Sequence, residues 1–441
     1  MATSPKVGAR PQVHIKFNMA GGKLVDLGRF YSTFEFKAML NGGYVIKAEL
    51  FDSHFNLQDD LIKNGYFKES RTEPVIVEFQ IAYGKESVVG ETMTRKQYAI
   101  LISLSAYGTG TDKANITFTA IDPPSWYLNM GDAYGGVFKG SVYQTLRRVI
   151  RRYAPTLKSI DISRTSDSQH NKWWMMKMDP KTFVSSLLDW SSSVTQFKTQ
   201  WLVASDGFNL AIKEQAQWRS RQRAYYRVYQ GKDTSNVTNW DFLADNALSL
   251  VQTKLMAQGA SAVTGAYHDQ KTDPEQRKTV VRDSTTVHKT IARVNESQSF
   301  TKPPDSVDSD SPVVGSSSVA SIPEIYSAGD LGLPYLNYLD GRPRAMYLNM
   351  TQSLLRVKLQ VIGHAIWDDC MGLGVDTIFV RWVQAPDIED RQDNNWWMTG
   401  NWIVYGFHHY VNRGSWRTDL FLARYDHDAK ARRVGGPPKE D

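Results

Sequence analysis

The sequence predicts a mainly β protein with an α+β insertion, and three observations carry that prediction. Two stretches, one early and one late, break into short alternating or β-branched and aromatic runs separated by Gly, Asn and Pro turns. Between them, residues 131–215 change to the helical period. Composition is the third. In 441 residues, 41% are hydrophobic and 12% aromatic, with 13 Trp and 21 Tyr, which suits several β-rich cores and excludes a wholly disordered chain. A chain of this length exceeds one ordinary core, so about two to four domains are expected.

The elements follow in order. Residues 1–25 read as a polar arm with one apolar alternation, Val13-His-Ile-Lys-Phe17. Strands are predicted at Tyr44–Phe51, Pro74–Tyr83, Tyr98–Tyr107 and Ala114–Asp122, each bounded by turn residues, as in a barrel or sandwich. Asp52–Lys63 suits a short helix with Leu57, Leu61 and Ile62 inward. After Pro123-Pro124 the texture changes. In Gly140–Tyr153, Val142, Leu146, Val149, Ile150 and Tyr153 share one helix face; Ser141 is the N-cap and Ala154-Pro155 the stop. A second helix starts with Asp179 as cap and Pro180 at its first position, with Phe183, Leu187 and Trp190 on one side. Thr199–Ile212 reads as a hairpin around Asp206-Gly207.

Strands resume over 216–267, as in Ala224–Tyr229. From His268 to Ile325 the only aromatic is Phe300, and Ser, Asp, Lys and Pro dominate, so 268–345 is expected to be a polar linker, open to proteolysis within 268–325. The last strands are Leu354–Gly363, Val375–Trp382, Asn401–Val411 and Trp416–Arg424. In the first, Leu355, Val357, Leu359 and Val361 alternate with Arg356, Lys358 and Gln360, the period of a half-buried strand. Gly406, set between Tyr405 and Phe407, predicts a bulge or a close backbone approach. Residues 427–441 form a basic tail.

Charge and motifs exclude most chemistry. The net charge of +6 is spread along the chain, without the basic stripe of a nucleic-acid reader. One cysteine, Cys370, allows neither an internal disulfide nor a Cys-based metal site. No run of 18 apolar residues or amino-terminal signal pattern stands out, so cytoplasmic synthesis without membrane insertion is expected. His408 and His409 are adjacent on a strand and so face opposite sides; His364 with Asp368-Asp369 would have to complete a metal site. There is no nucleophile elbow and no phosphate loop. Carboxylates at Asp387–Asp390 and Asp305–Asp310 sit in polar loops, where nothing raises one pKa for glycoside hydrolysis. Trp173-Trp174 and Trp396-Trp397 are candidates for sugar or base stacking, or for core and interface packing. Arg147-Arg148 and Arg151-Arg152 read as a solvated helix face. No catalytic residue, cofactor or metal is assigned.

The order of these parts resembles the tail hub proteins of bacteriophage baseplates, a family shared with contractile injection systems. The resemblance rests on the strand ending at Gly363, the turn Cys370-Met-Gly-Leu-Gly374, and the strand from Gly400 through Gly406 to His409. It extends to the closing Thr418-Asp-Leu-Phe-Leu-Ala-Arg424, to Gly259–Gly265, and to the helix-led insertion. It implies two tube-type β-barrel domains, 1–130 and 346–426, the second joined by strands of 216–267. It further implies a homotrimer in the virion tail baseplate that joins the tail tube protein to a spike or tail-tip protein and contacts other baseplate subunits. Such a hub surrounds the DNA ejection channel, with non-specific passage of DNA. The alternatives are a cell-wall or carbohydrate-binding, possibly hydrolytic, tail protein, and the hub-like core of a bacterial contractile injection system.

Overall fold

A computed structural model of the chain describes residues 10–19, 23–53, 55–64, 66, 73–83, 94–108, 113–131, 134–164, 172–190, 201–214, 221–229, 237–242, 263–269, 273–282, 320–327, 355–383 and 400–424. The first region comprises β1 (Pro11–Asn18), β2 (Leu24–Asp26), β3 (Tyr31–Met39), β4 (Gly43–Ser53), α1 (Asn56–Lys63), β5 (Ile76–Tyr83), β6 (Gln97–Gly108) and β7 (Lys113–Ile121). The expected amino-terminal arm is instead a core strand. Val13, Ile15 and Phe17 are buried, and β1 pairs antiparallel with β5 from Pro11↔Tyr83 to Asn18↔Ile76. That register sets the short apolar alternation on the same face as Val77, Phe79 and Ile81. In α1, Leu57 and Leu61 are buried but Ile62 is 60% exposed. Ile62 lies five residues after Leu57, about 140° round the helix, outside the buried stripe.

The insertion consists of α2 (Pro123–Met130), β8 (Tyr134–Lys139), α3 (Val142–Tyr153), β9 (Ser159–Ile162), β10 (Lys172–Met178), α4 (Pro180–Trp190), β11 (Trp201–Asp206) and β12 (Asn209–Glu214). Ser141 and Gln144 close a reciprocal cap on α3, Asp179 accepts from the Thr182 N–H at 2.8 Å, and Gly207 takes φ +59° at the hairpin turn. Val142, Leu146, Val149 and Ile150 pack with Phe183, Leu187, Leu210 and Ile212 in a core of their own, while Arg147, Arg148, Arg151 and Arg152 face solvent.

The chain then forms β13 (Gln222–Tyr229), β14 (Val237–Phe242), β15 (Val263–Asp269), β16 (Asp273–Arg282) and β17 (Ala320–Ser327). Here the structure departs from the expected linker at 268–345. β16 and β17 flank β15 in a three-stranded sheet, antiparallel and parallel respectively. Backbone pairing needs no large apolar side chains, which is why composition hid these strands. The last region comprises β18 (Leu355–Ile362), two 3-10 turns (Ala365–Asp368 and Cys370–Gly372), β19 (Thr377–Val383), β20 (Gly400–Asn412) and β21 (Trp416–Arg424).

Both β regions belong to one 13-stranded sheet, in the order β14-β18-β21-β20-β3-β4-β7-β6-β5-β1-β2, with β13 and β19 branching from β20. The join is β20. One edge pairs with β19 through Gly400↔Val380 to Ile403↔Thr377, then with β3 through Gly406↔Met39 to Asn412↔Thr33. The other edge pairs with β21. The sheet curls at both ends, bringing β1 near β20 and β13 near β14. Its buried face forms one cluster that runs from Phe17, Phe36 and Phe79 to Trp382, Trp402 and Leu422.

Candidate functional site

The residues that carry the hub resemblance surround the shared strand. A bulge falls between Val404 and Gly406 in the β20–β21 pairing. A Cβ on Gly406 would stand 2.5 Å from the Met39 sulfur and 3.0 Å from the Ala38 carbonyl oxygen, so β3 approaches β20 too closely for a side chain. Gly363 lies under the Trp416 ring, where a Cβ would overlap the indole. The Gly374 N–H donates to the Val404 carbonyl at 2.8 Å, and Gly400 begins β20 opposite Val380. Arg424 pairs with Leu355 at the far end of β21.

His409 is fully buried at the centre of this group. The Trp416 indole N–H donates to His409 Nδ1 at 3.0 Å, and the Thr418 hydroxyl lies 2.7 Å from the same nitrogen. Nε2 therefore carries the proton and donates it to the Trp367 carbonyl at 2.7 Å. The Trp367 indole N–H in turn donates to the Tyr226 hydroxyl at 3.1 Å. This chain of bonds ties β20 and β21 to the first 3-10 turn and β13. Burial pushes the imidazole down to about 4, so His409 is neutral and structural.

The opposite face of the sheet is polar across the join. Lys47 and Glu49 on β4, Glu35 and Lys37 on β3, His408 and Tyr410 on β20, Arg417 and Asp419 on β21, and Arg356, Lys358 and Gln360 on β18 alternate with core residues. Complementary polar groups meet there. His408 Nε2 lies 3.2 Å from Glu35, Lys358 Nζ 3.0 Å from Asp419, and the Arg417 guanidinium 4.6 Å above the Tyr410 ring. Burial lowers the His408 pKa despite the Glu35 carboxylate, which leaves this histidine largely uncharged at neutral pH.

Two buried polar junctions clamp the insertion to this sheet. Asp122 accepts from the Tyr44 N–H at 3.0 Å, from the Ser125 N–H at the start of α2, and from the Ser205 hydroxyl on β11 at 3.0 Å. The Tyr44 hydroxyl donates to the Tyr98 carbonyl and accepts from the Gly207 N–H. In the second junction, Arg223 Nε donates to Asp376 and its Nη2 to Asp369, both at 2.5 Å. Asp368 accepts the Arg95 N–H at 2.6 Å, and the Arg95 side chain points to Asp206 and Asp369 at 3.9 Å. Burial raises the pKa of Asp122, Asp206, Asp368 and Asp376 against these favourable contacts.

The other sequence candidates do not converge. His408 and His409 face opposite sides, and among the described residues no group of three metal-binding side chains occurs. His364 Nδ1 accepts from the Ile366 N–H, closing a local turn. The Trp173 indole donates to the Gly140 carbonyl at 2.9 Å, and its ring packs against the insertion core. Asp305–Asp310, Asp387–Asp390, Trp396 and Trp397 lie outside the described residues. Sequence reasoning missed Tyr44, Asp122, Arg223 and Asp376. The available signal was weak: an Asp directly before Pro123-Pro124 is a helix-cap signature, but its partners are 78 and 83 residues away.

No family model matches the sequence, and no curated protein matches it. Solved structures do. The tail protein from Neisseria meningitidis aligns over 95% of this chain and 99% of its own, at 10% identity and a TM-score of 0.51. The 43 kDa tail protein of prophage MuSo2 from Shewanella oneidensis aligns over the same shares, at 10% identity and a TM-score of 0.50. The mainly β architecture is therefore a fold shared with these tail proteins over 95% of the chain. At that level the resemblance read from the sequence holds. No helix among the described residues is long and apolar enough to cross a membrane.

Proposed function

We propose that this chain is a structural component of a phage-type tail: the baseplate hub that joins the tail tube to the spike or tail tip. The observation that carries this reading is the fold match over 95% of this chain and 99% of each of two tail proteins. The shared sheet supports it with a physical argument. In the proposed hub, barrel domains at 1–130 and 346–426, the latter with strands of 216–267, are coupled rigidly through β3 and β20. Three copies then present six barrels, which adapts a sixfold tube to a threefold spike.

The polar face formed by β4, β3, β20, β21 and β18 is the wall of the channel in this reading. Its lysines and arginines are interspersed with Glu35, Glu49 and Asp419, so it offers passing DNA no continuous cationic strip to hold its phosphates. The role is mechanical rather than catalytic. The test is the mass and image of the assembled protein. Light scattering should give about three times the 50.0 kDa chain for the protein alone, or three copies of it per complex when tube or spike protein is needed to bring them together, and electron microscopy a ring with a central channel. A stable single chain that binds neither partner would refute the hub.

A further inference from the structure

Where the insertion meets the sheet, short side chains leave a cavity of about 150 Å³. β11 lines it with Trp201, Val203 and Ser205, alternate residues that stand on one face of the strand, and Leu210 on β12 pairs with Ser205 beside them. α4 faces that floor with Val184, Ser185 and Leu188, and α2 closes one side with Pro124 and Leu128. Valine and serine at the facing positions are too short to fill the gap between helix and strand, which keeps the space open. The lining grades from rim to interior. Asn41 and Ser185 are exposed and Lys181 is half-buried, whereas Asp122, Leu188, Trp201 and Ser205 are buried.

Most polar groups of the lining are already committed. The Asn41 side-chain oxygen accepts from the Val203 N–H at 2.8 Å. The Asp122 carboxylate is taken up by the Tyr44 and Ser125 N–H groups and the Ser205 hydroxyl. The Trp201 indole differs. The residue is 8% exposed and its Nε1–H is buried, yet among the described residues nothing accepts from it. An indole nitrogen can only donate, and a buried donor left unpaired is costly. This one is matched only by an acceptor oxygen on something that enters the cavity.

We propose that the cavity binds a small uncharged molecule: a ring or branched chain of about six non-hydrogen atoms, with one carbonyl oxygen that accepts from Trp201 Nε1–H. The size follows from the volume, since an engineered cavity of about 150 Å³ holds benzene. The apolar body suits Leu128, Val184, Leu188, Val203 and Leu210. Charge is excluded on both sides. A carboxylate or phosphate would set a second negative charge against Asp122, and an ammonium would give up water for a carboxylate whose lone pairs are largely taken. Because Asn41 and Gly43 belong to the turn between β3 and β4, and the floor and roof to the insertion, the bound molecule braces one against the other.

Cyclopentanone and methylenecyclopentane, which share a shape and differ in the oxygen, test it in the full chain by nitrogen–proton NMR. The indole signal lost in Trp201→Phe identifies Trp201. In the parent that signal should move and saturate as cyclopentanone is added, with a dissociation constant on the order of 1 mM, and the melting temperature should rise. Read from the Val203 and Ser205 amide signals, the preference for cyclopentanone over methylenecyclopentane should fall at least tenfold in Trp201→Phe. If that variant does not fold, Ser185→Phe at the exposed rim carries the test: it should melt as the parent does and take up neither molecule. An unchanged preference in Trp201→Phe overturns the carbonyl contact. Cyclopentanone binding that Ser185→Phe leaves intact overturns the site. A Trp201 indole proton that exchanges magnetisation with water and ignores cyclopentanone at about 100 mM marks a hydration site only, and overturns the proposal.

Discussion

Acidification should strip stability from this protein through one buried imidazole, and the size of the effect follows from the geometry around His409. Its Nδ1 accepts from the Trp416 N–H and its Nε2–H donates to the Trp367 carbonyl, so a second proton would have to displace the indole donor. Burial holds the group at about 4, against 6.5 for a free histidine. The unfolded chain takes up a proton below about 6.5 and the folded chain does not until about 4. Folding is therefore fully favoured by this group above pH 6.5, and the contribution drains away as the pH falls. At about 1.4 kcal/mol per pH unit the loss reaches about 3 kcal/mol by pH 4.

Asp122, Asp206, Asp368 and Asp376 act with the opposite sign. Their folded pKa values lie above the ordinary carboxylate value, so the fold takes up protons before the unfolded chain does, and acid relieves a cost they impose at neutral pH. The raw pH profile mixes both effects. The difference between the parent and His409→Gln isolates the imidazole. Glutamine can still donate toward Trp367, but it leaves the Trp416 N–H short of an acceptor, a cost of about 1–3 kcal/mol at pH 7.5. Urea unfolding at pH 7.5, 6, 5 and 4 should show that gap closing or inverting as the pH falls. A gap that stays constant from pH 7.5 to 4 would refute the reasoning.

Other expectations follow from close contacts and buried charge. Gly406→Val forces Met39 and the Ala38 carbonyl away and should lower stability by about 1–3 kcal/mol, seen as a lower melting temperature. Gly363→Ala displaces the Trp416 ring, and near-ultraviolet circular dichroism should register the lost tryptophan packing even if the chain still folds. Arg223→Met leaves Asp376 and Asp369 without their shared cation and should cost about 3–5 kcal/mol, with partial recovery on adding Asp376→Asn. The purified protein should release no product from peptidoglycan, polysaccharide or peptide. Activity that persists through purification and disappears with one carboxylate or histidine substitution would overturn the structural role.

Much of the fold was legible because short-range signals and long-range packing agreed. The alternation in Leu355–Val361, the cap at Ser141 and the Asp206-Gly207 turn each specify their element within a few residues. β1 was misread because three apolar residues mean little without knowing that β5 lies beside them. β16 and β17 were misread because composition reports side-chain burial and not backbone pairing. The junctions were illegible for a related reason. Asp122 meets Ser205, and Arg223 meets Asp376, across 83 and 153 residues, and beyond the helix-cap signature at Asp122 nothing local in the sequence marks these ends. Gly406 stood out, since a glycine between Tyr405 and Phe407 weakens the strand unless something needs the space. That the something is Met39, 367 positions earlier in the chain, could not be guessed.

The pairing of β20 with β3 also governs how the chain matures. β3 ends at Met39, and the strand that covers its edge is not complete until Asn412. At about 5–20 residues per second, the ribosome takes on the order of twenty seconds to a minute to supply it. Throughout that interval the nascent amino-terminal region carries an unmatched β3 edge and an unfinished apolar face around Phe36, which packs against Phe407. Premature termination anywhere before β20 would release a fragment with that edge permanently open. A chain must be translated through β20 before the interior around Phe36 and Phe407 can close, so a copy truncated earlier keeps that part of its core incomplete.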